Sequence, residues 1–431
     1  MRNTFKTLTA TVALSAALLP PAAQAAGFYL QEQSVRGIGR AFSGEVSDQG
    51  SQSLWWNPAA IGGTQNLEGS FGISAILPSG NVNNIGTMIV RPSQAPAAVG
   101  GTQSAHNPIE NGVLPSGAIA FGLTPWLAAG VSVTAPYSFT TNYDSANWAR
   151  YTARQTKLRT YDIQPTLAFA PSQNISLGIG LNIERAAATL SNSLPNLSSQ
   201  LPDGYQSLQG SGWDTGWSAG VQYHDGPLSM GMSYKSSIKH KLDGTVTTSG
   251  LLYQLAAYNG TLNANAAFRT PWQANFGARY SVTPDLTLNG QITRFGWSEF
   301  SNINVTGGVT AAIPENYRDT WTGGVGLDYA VTPDWTLRTG VQYDQTPTRN
   351  GQRDARVPDA NRWNLAAGTS YKLSSSLTLD AAASYIAFAN SPINRTTAAF
   401  AGTAAQTPIL VNGQLDGARA LTFSLGVRFN Y

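Results

Sequence analysis

Over some ten residues at a time, apolar and polar side chains alternate along this chain, and tight polar turns with an aromatic residue just ahead of them break the alternation. In the last stretch Leu421, Phe423, Leu425, Val427, Phe429 and Tyr431 share one phase, and Thr422, Ser424, Gly426, Arg428 and Asn430 the other. Strand side chains point to opposite faces with period two, so one face is oily and the other polar. The split recurs upstream, where Trp335, Leu337, Val341 and Tyr343 oppose Thr336, Arg338, Gly340 and Gln342. Phe121, Phe169, Tyr223 and Tyr371 precede polar turns, and Tyr280 and Tyr329 lead the near-copies Ser281-Val282-Thr283-Pro284-Asp285 and Ala330-Val331-Thr332-Pro333-Asp334. Strands of about ten residues with one apolar phase, short turns on one side and rings at one height are what a transmembrane β-barrel requires. A sandwich strand also alternates, but it does not repeat an aromatic girdle.

Composition supports a membrane location. Charged residues are 11% of the 431, against roughly 25% in soluble proteins, and hydrophobic residues are 42%. Beyond the N-terminus no run of about 18 apolar residues exists, which excludes helical spanning and leaves a closed barrel as the way to satisfy backbone groups in lipid. The N-terminus has the form of an export signal: Arg2 and Lys6, an apolar Leu8 to Leu19, and the small-residue site Ala23-Gln24-Ala25. Its removal takes the formal charge from +3 to +1, so nucleic acid is not an expected partner. Without cysteine there is no disulfide framework or thiolate metal site.

Fourteen strand-like stretches run between residues 66 and 431. An even number places both ends on the short-turn, periplasmic side. The long connections Pro78 to Val113, Ser191 to Gly210, Thr248 to Asn263 and Asn390 to Asp416 then face outward. The chain divides into a signal peptide (1–25), an irregular glycine-broken segment (26–63) and an all-β antiparallel barrel (64–431). A barrel of about fourteen strands encloses more space than its own side chains fill, and the segment 26–63 is the natural plug.

That segment, Gly27-Phe28-Tyr29-Leu30-Gln31-Glu32-Gln33-Ser34 through Gly37-Ile38-Gly39-Arg40 to Asn57-Pro58-Ala59, closely resembles the N-terminal hatch of FadL-type outer-membrane long-chain fatty-acid transporters. Further matches in the family's order are Asn182-Ile183-Glu184-Arg185, Tyr234-Lys235-Ser236, Trp297-Ser298-Glu299-Phe300, Tyr317-Arg318-Asp319 and Pro358-Asp359-Ala360-Asn361-Arg362. The resemblance implies a fourteen-stranded barrel with a small hatch in the outer membrane of a Gram-negative bacterium. Such a protein carries hydrophobic molecules passively, without cofactor, metal or catalysis, by outside capture, lumenal binding and sideways exit. Expected partners are fatty acids or other hydrophobic small molecules, outer-membrane lipid and lipopolysaccharide, and barrel-insertion machinery; the expected state is a monomer. A long tail needs a protected path because each exposed CH2 costs about 0.8 kcal/mol.

Sideways exit requires a break in the wall. Pro136, in Pro136-Tyr137-Ser138 of the third strand, cannot donate to the ladder and marks one, although an ordinary bulge at a barrel rim would look the same. The resemblance places this proline at the family's inward kink, where Tyr137-Ser138 replaces the usual Phe-Gly. It also sets Asn57, Pro58 and Ala59 of the hatch against the opening, where Asn57 would bond its unpaired edge. Arg185 and Arg318 match basic residues that the family uses near its pocket and are candidates for a carboxylate headgroup. Arg318 shares the lumen phase with Thr320 and Thr322, whereas strict alternation puts Arg185 outside unless a bulge intervenes; both could equally form structural ion pairs. Met88, Ile89 and Val90, with Leu251, Leu252, Leu255 and Tyr258, are apolar in outer loops, either as a capture groove or as packing over the mouth.

The three histidines, His106, His224 and His240, fall in separate places and form no readable metal or catalytic group. Rival functions are uptake of monoaromatic hydrocarbons, a surface adhesin or receptor barrel, and a general diffusion porin.

Overall fold

The computed structural model describes residues 27–431, and the expected export signal lies outside them. Fourteen wall strands follow in chain order: β1 (Leu67–Asn84), β2 (Gly112–Thr124), β3 (Leu127–Thr134 and Ser138–Asn142), β4 (Gln155–Phe169), β5 (Ile175–Leu194), β6 (Gly204–Asp225) and β7 (Leu228–Lys235 and Lys239–Ser249). Then come β8 (Gly260–Arg269 and Trp272–Ser281), β9 (Leu286–Gly296 and Asn302–Gly307), β10 (Ala311–Pro314 and Thr320–Thr332), β11 (Trp335–Asp344), β12 (Arg362–Ser374), β13 (Leu377–Phe388) and β14 (Thr407–Asn430). Neighbours pair antiparallel, and β1 closes on β14 from Glu68 opposite Asn430 to Asn84 opposite Gly413.

The near-identical turns have a local cause. Thr283 Oγ1 accepts from the amides of Asp285 (3.3 Å) and Leu286 (3.1 Å), and Thr332 Oγ1 does the same for Asp334 (3.3 Å) and Trp335 (3.1 Å). The intervening prolines pre-set the turn's backbone. Above the turns, Phe121, Phe169, Tyr223, Tyr280, Tyr329 and Tyr371 form a lower exposed girdle, while Trp213, Trp321, Trp363 and Tyr385 form an upper one. On β6, Tyr223 and Trp213 are ten residues apart, which at about 3.3 Å per residue and a tilt near 40° is about 25 Å of apolar band.

The strands rise beyond that band. β1 continues to Asn84, and the connection expected over Ser191 to Gly210 shrinks to the few residues between Leu194 and Gly204. Above the bilayer no lipid faces the outer phase, so alternation fades while the ladder continues.

Residues 27–63 lie inside the barrel as short turns of helix, Val35–Ile38, Glu45–Ser47, Ser51–Ser53 and Pro58–Ile61. Arg40, fully buried, joins Glu45 and Asp48 of the plug to Asp328 of β10, and Arg279 of β8 bridges Asp48 (3.0 Å) and Asp328 (2.8 Å). Close approach demands glycine on the wall: a Cβ at Gly340 would lie 2.1 Å from Arg40 O, and one at Gly178 2.2 Å from Pro58 C.

Candidate transport pathway

The third strand breaks at Ala135–Tyr137. Thr134 is opposite Asp162 and Ser138 is opposite Arg159, so three residues of β3 face two of β4. The extra residue reverses the phase. Below it Val131 and Val133 are exposed to lipid; beyond it Tyr137 and Phe139 turn inward and are buried.

The break also unzips β3 from β2. Their ladder stops at Gly117 opposite Val133, and Gly112 to Ser116 of β2 pair only with β1. Contact resumes higher up, where Glu110 N donates to Thr140 O (3.1 Å) and Asn142 N to Pro108 O (2.8 Å). Over the gap the plug supplies the missing partners. Leu30 N donates to Pro136 O (2.7 Å) and Ser138 N to Phe28 O (3.1 Å). The Gln33 amide group bonds both ends of Ala135, Nε2 to its carbonyl (3.1 Å) and Oε1 from its N–H (3.2 Å). Phe28 to Gln33 thus lies along the kinked edge as an internal strand.

Asn57 sits elsewhere. Its Oδ1 caps Ala59 N (3.0 Å), and its Nδ2 donates to Val46 O (2.7 Å) within the plug and Val221 O (3.2 Å) on β6. With Pro58 and Ala59 packed against Gly178 of β5, this motif lies on the β5–β7 side rather than at the β3 edge. The expectation that Asn57 serves the opening is therefore corrected. Gln33, which the sequence did not single out, holds the edge through its paired amide donor and acceptor.

Above the plug is an apolar cavity of about 700 Å³, lined by Phe28, Phe139, Leu158, Leu208, Leu242 and Phe268 among others. Its floor is aromatic: the Phe28 ring lies 4.9 Å from Trp297 and 5.0 Å from Phe300, and Tyr29 lies 4.9 Å from Phe295. Lys157, Glu315 and Arg356 border the cavity, and Arg356 Nη1 is buried without a hydrogen-bond partner. Burial pushes the Glu315 carboxyl up to about 8, with Asp354 adding to the shift and Arg395 and Arg356 opposing it.

Neither expected headgroup arginine borders this cavity. Arg185 is exposed on the outer face, since no bulge interrupts β5 and alternation from Ile175 carries it outward. Arg318 is also exposed, with Nε donating to Thr346 O (3.2 Å). It precedes the Thr320–Thr332 segment of β10, so the strand's phase does not extend to it, and Tyr317 turns inward instead. In the outer loops Ile89, Leu251 and Leu255 are buried in an apolar cluster with Val82, Trp148 and Ile393, which is mouth packing rather than a groove. Leu252 and Tyr258 are exposed, and Met88 and Val90 are half-buried.

One polar constellation escaped the sequence. Buried His240 lies 3.1 Å from Glu184 and 3.4 Å from Asp214, and its ring is 5.1 Å from that of Phe268. Only the paired registers of β5, β6 and β7 bring these residues together. A second cleft, about 400 Å³ between the plug and β1–β3, β13 and β14, has a mixed lining in which Arg36, Asp380 and Arg428 stand beside Val35, Trp55 and Phe71.

The family described as Outer membrane protein transport protein (OMPP1/FadL/TodX) matches residues 16–431. A long-chain fatty acid transport protein of Escherichia coli (strain CFT073) is 26% identical over 415 residues, 87% of this chain and 90% of that protein. A Pseudomonas aeruginosa FadL homologue superimposes with a TM-score of 0.82 at 24% identity, covering 94% of this chain and 100% of the other. The Ralstonia pickettii toluene transporter TbuX does so with a TM-score of 0.64 at 17% identity, covering 94% and 99%.

Proposed function

Because the chain belongs to the FadL/TodX family of outer-membrane transporters of hydrophobic compounds, we propose that it takes up long-chain fatty acids, holds them in the cavity above the plug and releases them sideways between β2 and β3. The observation that carries the proposal is the pairing of that cavity with the β2–β3 gap through shared residues. Phe28 and Phe139 border the cavity, and both flank the kinked edge. Displacing Phe28 to Gln33 from β3 joins the cavity to a rim bearing Pro115, Val131 and Val133, all exposed on the lipid side.

A downward route is less suited to a tail. The cleft in that direction is lined in part by the charged Arg36, Asp380 and Arg428, and the plug is held there by the Arg40 and Arg279 ion pairs. An acyl chain gains about 0.8 kcal/mol per CH2 in an apolar path and loses it in a polar one. Arg356, with its unpartnered Nη1, is the group best placed to meet a carboxylate. It replaces Arg185 and Arg318 as the headgroup candidate. The loop residues Leu252 and Tyr258 remain as candidates for outer capture.

Monoaromatic hydrocarbons are the second reading, favoured by a lining that is apolar almost throughout. The deciding experiment measures uptake of radiolabelled oleate and of toluene by cells with and without the gene, alongside mass spectrometry of molecules that copurify with the folded protein. Fatty acids in the preparation and gene-dependent oleate uptake support the proposal. Uptake of toluene alone transfers it to aromatic hydrocarbons, and loss of neither refutes transport.

A further inference from the structure

Six basic side chains project from one side of the outer wall: Lys157 and Arg159 on β4, Arg185 on β5, Lys239 and Lys241 on β7, and Arg269 on β8. Their phase fixes the direction. Arg159 shares the face of Ile163, Leu167 and Phe169, and Arg185 that of Ile179 and Leu181, all exposed. Lys239 and Lys241 flank His240, which points inward and is buried, and Arg269 follows inward-facing Phe268.

They also share a level. Arg159 is ten residues above Phe169, and Arg185 ten above Ile175, so both stand about 25 Å above the lower girdle, at the upper edge of the apolar band. Register joins them: Arg185 lies between Tyr161 and Trp213, and Lys239 is directly opposite Arg269. Like charges facing each other across a ladder are destabilising, so this placement calls for an anion.

The protein provides little of it. Glu299 reaches Arg269 at 3.6 Å and Asp243 is exposed on β7, but the side chains of Arg159, Arg185, Lys239 and Lys241 have no hydrogen-bond or ion-pair partner among the described residues. Inside the barrel, by contrast, Arg40, Arg279, Arg338, Arg362, Arg395 and Arg428 are all paired with carboxylates. The charge is one-sided as well, since from β11 round through β14 to β3 only Arg419 carries an outward charge at that height. Trp213 stands beside Arg185, and directly beneath the patch Ile179, Leu181 and Trp217 expose an apolar surface.

Basic groups over an apolar slope fit an amphiphile with anionic heads and acyl chains lying in the outer leaflet. We propose that the β4–β8 face binds the phosphorylated glucosamine head of lipopolysaccharide, with Arg185, Lys239 and Arg269 on its phosphates and the lipid chains against Leu181 and Trp217. Four strand-to-strand steps span about 19 Å, enough for more than one phosphate. Arginine suits phosphate through its forked donors, and lysine serves as a point charge. Since β4 adjoins the broken β3, the bound glycolipid borders the gap.

The test uses the full chain folded in detergent and a deep-rough lipopolysaccharide carrying both lipid A phosphates, with the enzymatically dephosphorylated form as comparison. The triple change Arg185→Ala, Lys239→Ala, Arg269→Ala is expected to weaken binding about tenfold or more, with Arg185→Lys, Lys239→Arg, Arg269→Lys restoring most of it. Arg419→Ala is expected to leave it within about twofold. Heat-modifiable migration on gels verifies that each variant is folded. Equal binding by the triple variant, or equal binding of the dephosphorylated form, overturns the proposal. So does phosphatidylglycerol binding of the same strength and the same dependence on these residues, which would mark an unselective anion surface.

Discussion

Replacing Gln33 by Ala cuts the plug from the kinked edge at its firmest point. Gln33 is 5% exposed and Ala135 1%, and the two hydrogen bonds between them (3.1 and 3.2 Å) satisfy both backbone groups of Ala135. The smaller side chain leaves that N–H and C=O buried without partners, at about 1 to 3 kcal/mol each, offset where water enters the space vacated. A net loss of about 2 to 3 kcal/mol in docking raises the undocked population about 30- to 140-fold. Hydrogen exchange at the amides of Leu30 and Ser138, which bond to Pro136 O and Phe28 O across the same seam, reads that population directly. Exchange at both is expected to accelerate together, and oleate uptake into cells to rise with it. Faster exchange with unchanged uptake would separate the seam from transport. Unchanged exchange in a folded variant would show that Gln33 is not what holds it.

Arg356→Ala is expected to weaken palmitate binding about tenfold or more while leaving toluene nearly unaffected, whereas Arg318→Ala changes neither, which fluorescence displacement would measure. Glu315 gives a pH signature: its folded value near 8 exceeds that of a free carboxyl, so the associated stability is full at low pH and lost as pH rises through about 8. Palmitate affinity is expected to fall over the same interval as a negative charge appears at the cavity, and Glu315→Gln to flatten the profile. Gly178→Val places side-chain atoms where Pro58 and Ala59 stand, with Cβ already 2.2 Å from Pro58 C. The barrel should still fold, with destabilisation of about 1 to 3 kcal/mol and raised ion conductance in planar bilayers; an unaltered low conductance would mean that the wall yields instead.

The wall was legible because lipid imposes a strict rule on it: wherever a strand crosses the bilayer, the outer phase must be apolar and the girdle aromatic. Where that constraint ends, so does the sequence signal. Arg318 was assigned a face by extending the phase of β10 past its last paired residue, and the chain there is not a strand. Arg185 shows the opposite case, since simple parity placed it outside and the structure does too. Residues beyond the β3 bulge change sides because one residue is added, and no local pattern announces that Phe139 rather than Thr140 faces inward. Arg356 and Leu158 meet at one cavity from segments about two hundred positions apart, and Ile89, Leu251 and Leu255 pack together from separate loops. Such encounters depend on register between distant strands, which a single sequence does not display.

The ion pairs between the plug and the wall bear on how the protein is assembled. Arg40 is enclosed between Asp328 on β10 and its own acidic neighbours, and the backbone of Gly39 is pressed against that of Gly368 on β12. A cork fitted this tightly, under a roof of packed loops, is poorly suited to late insertion through either mouth. The staves are better raised around it, with the join between the first and last of them made as the final act. Folding of the leading segment and closure of the cylinder would then be a single event, and a chain that wrapped itself empty would have no easy way to correct the error.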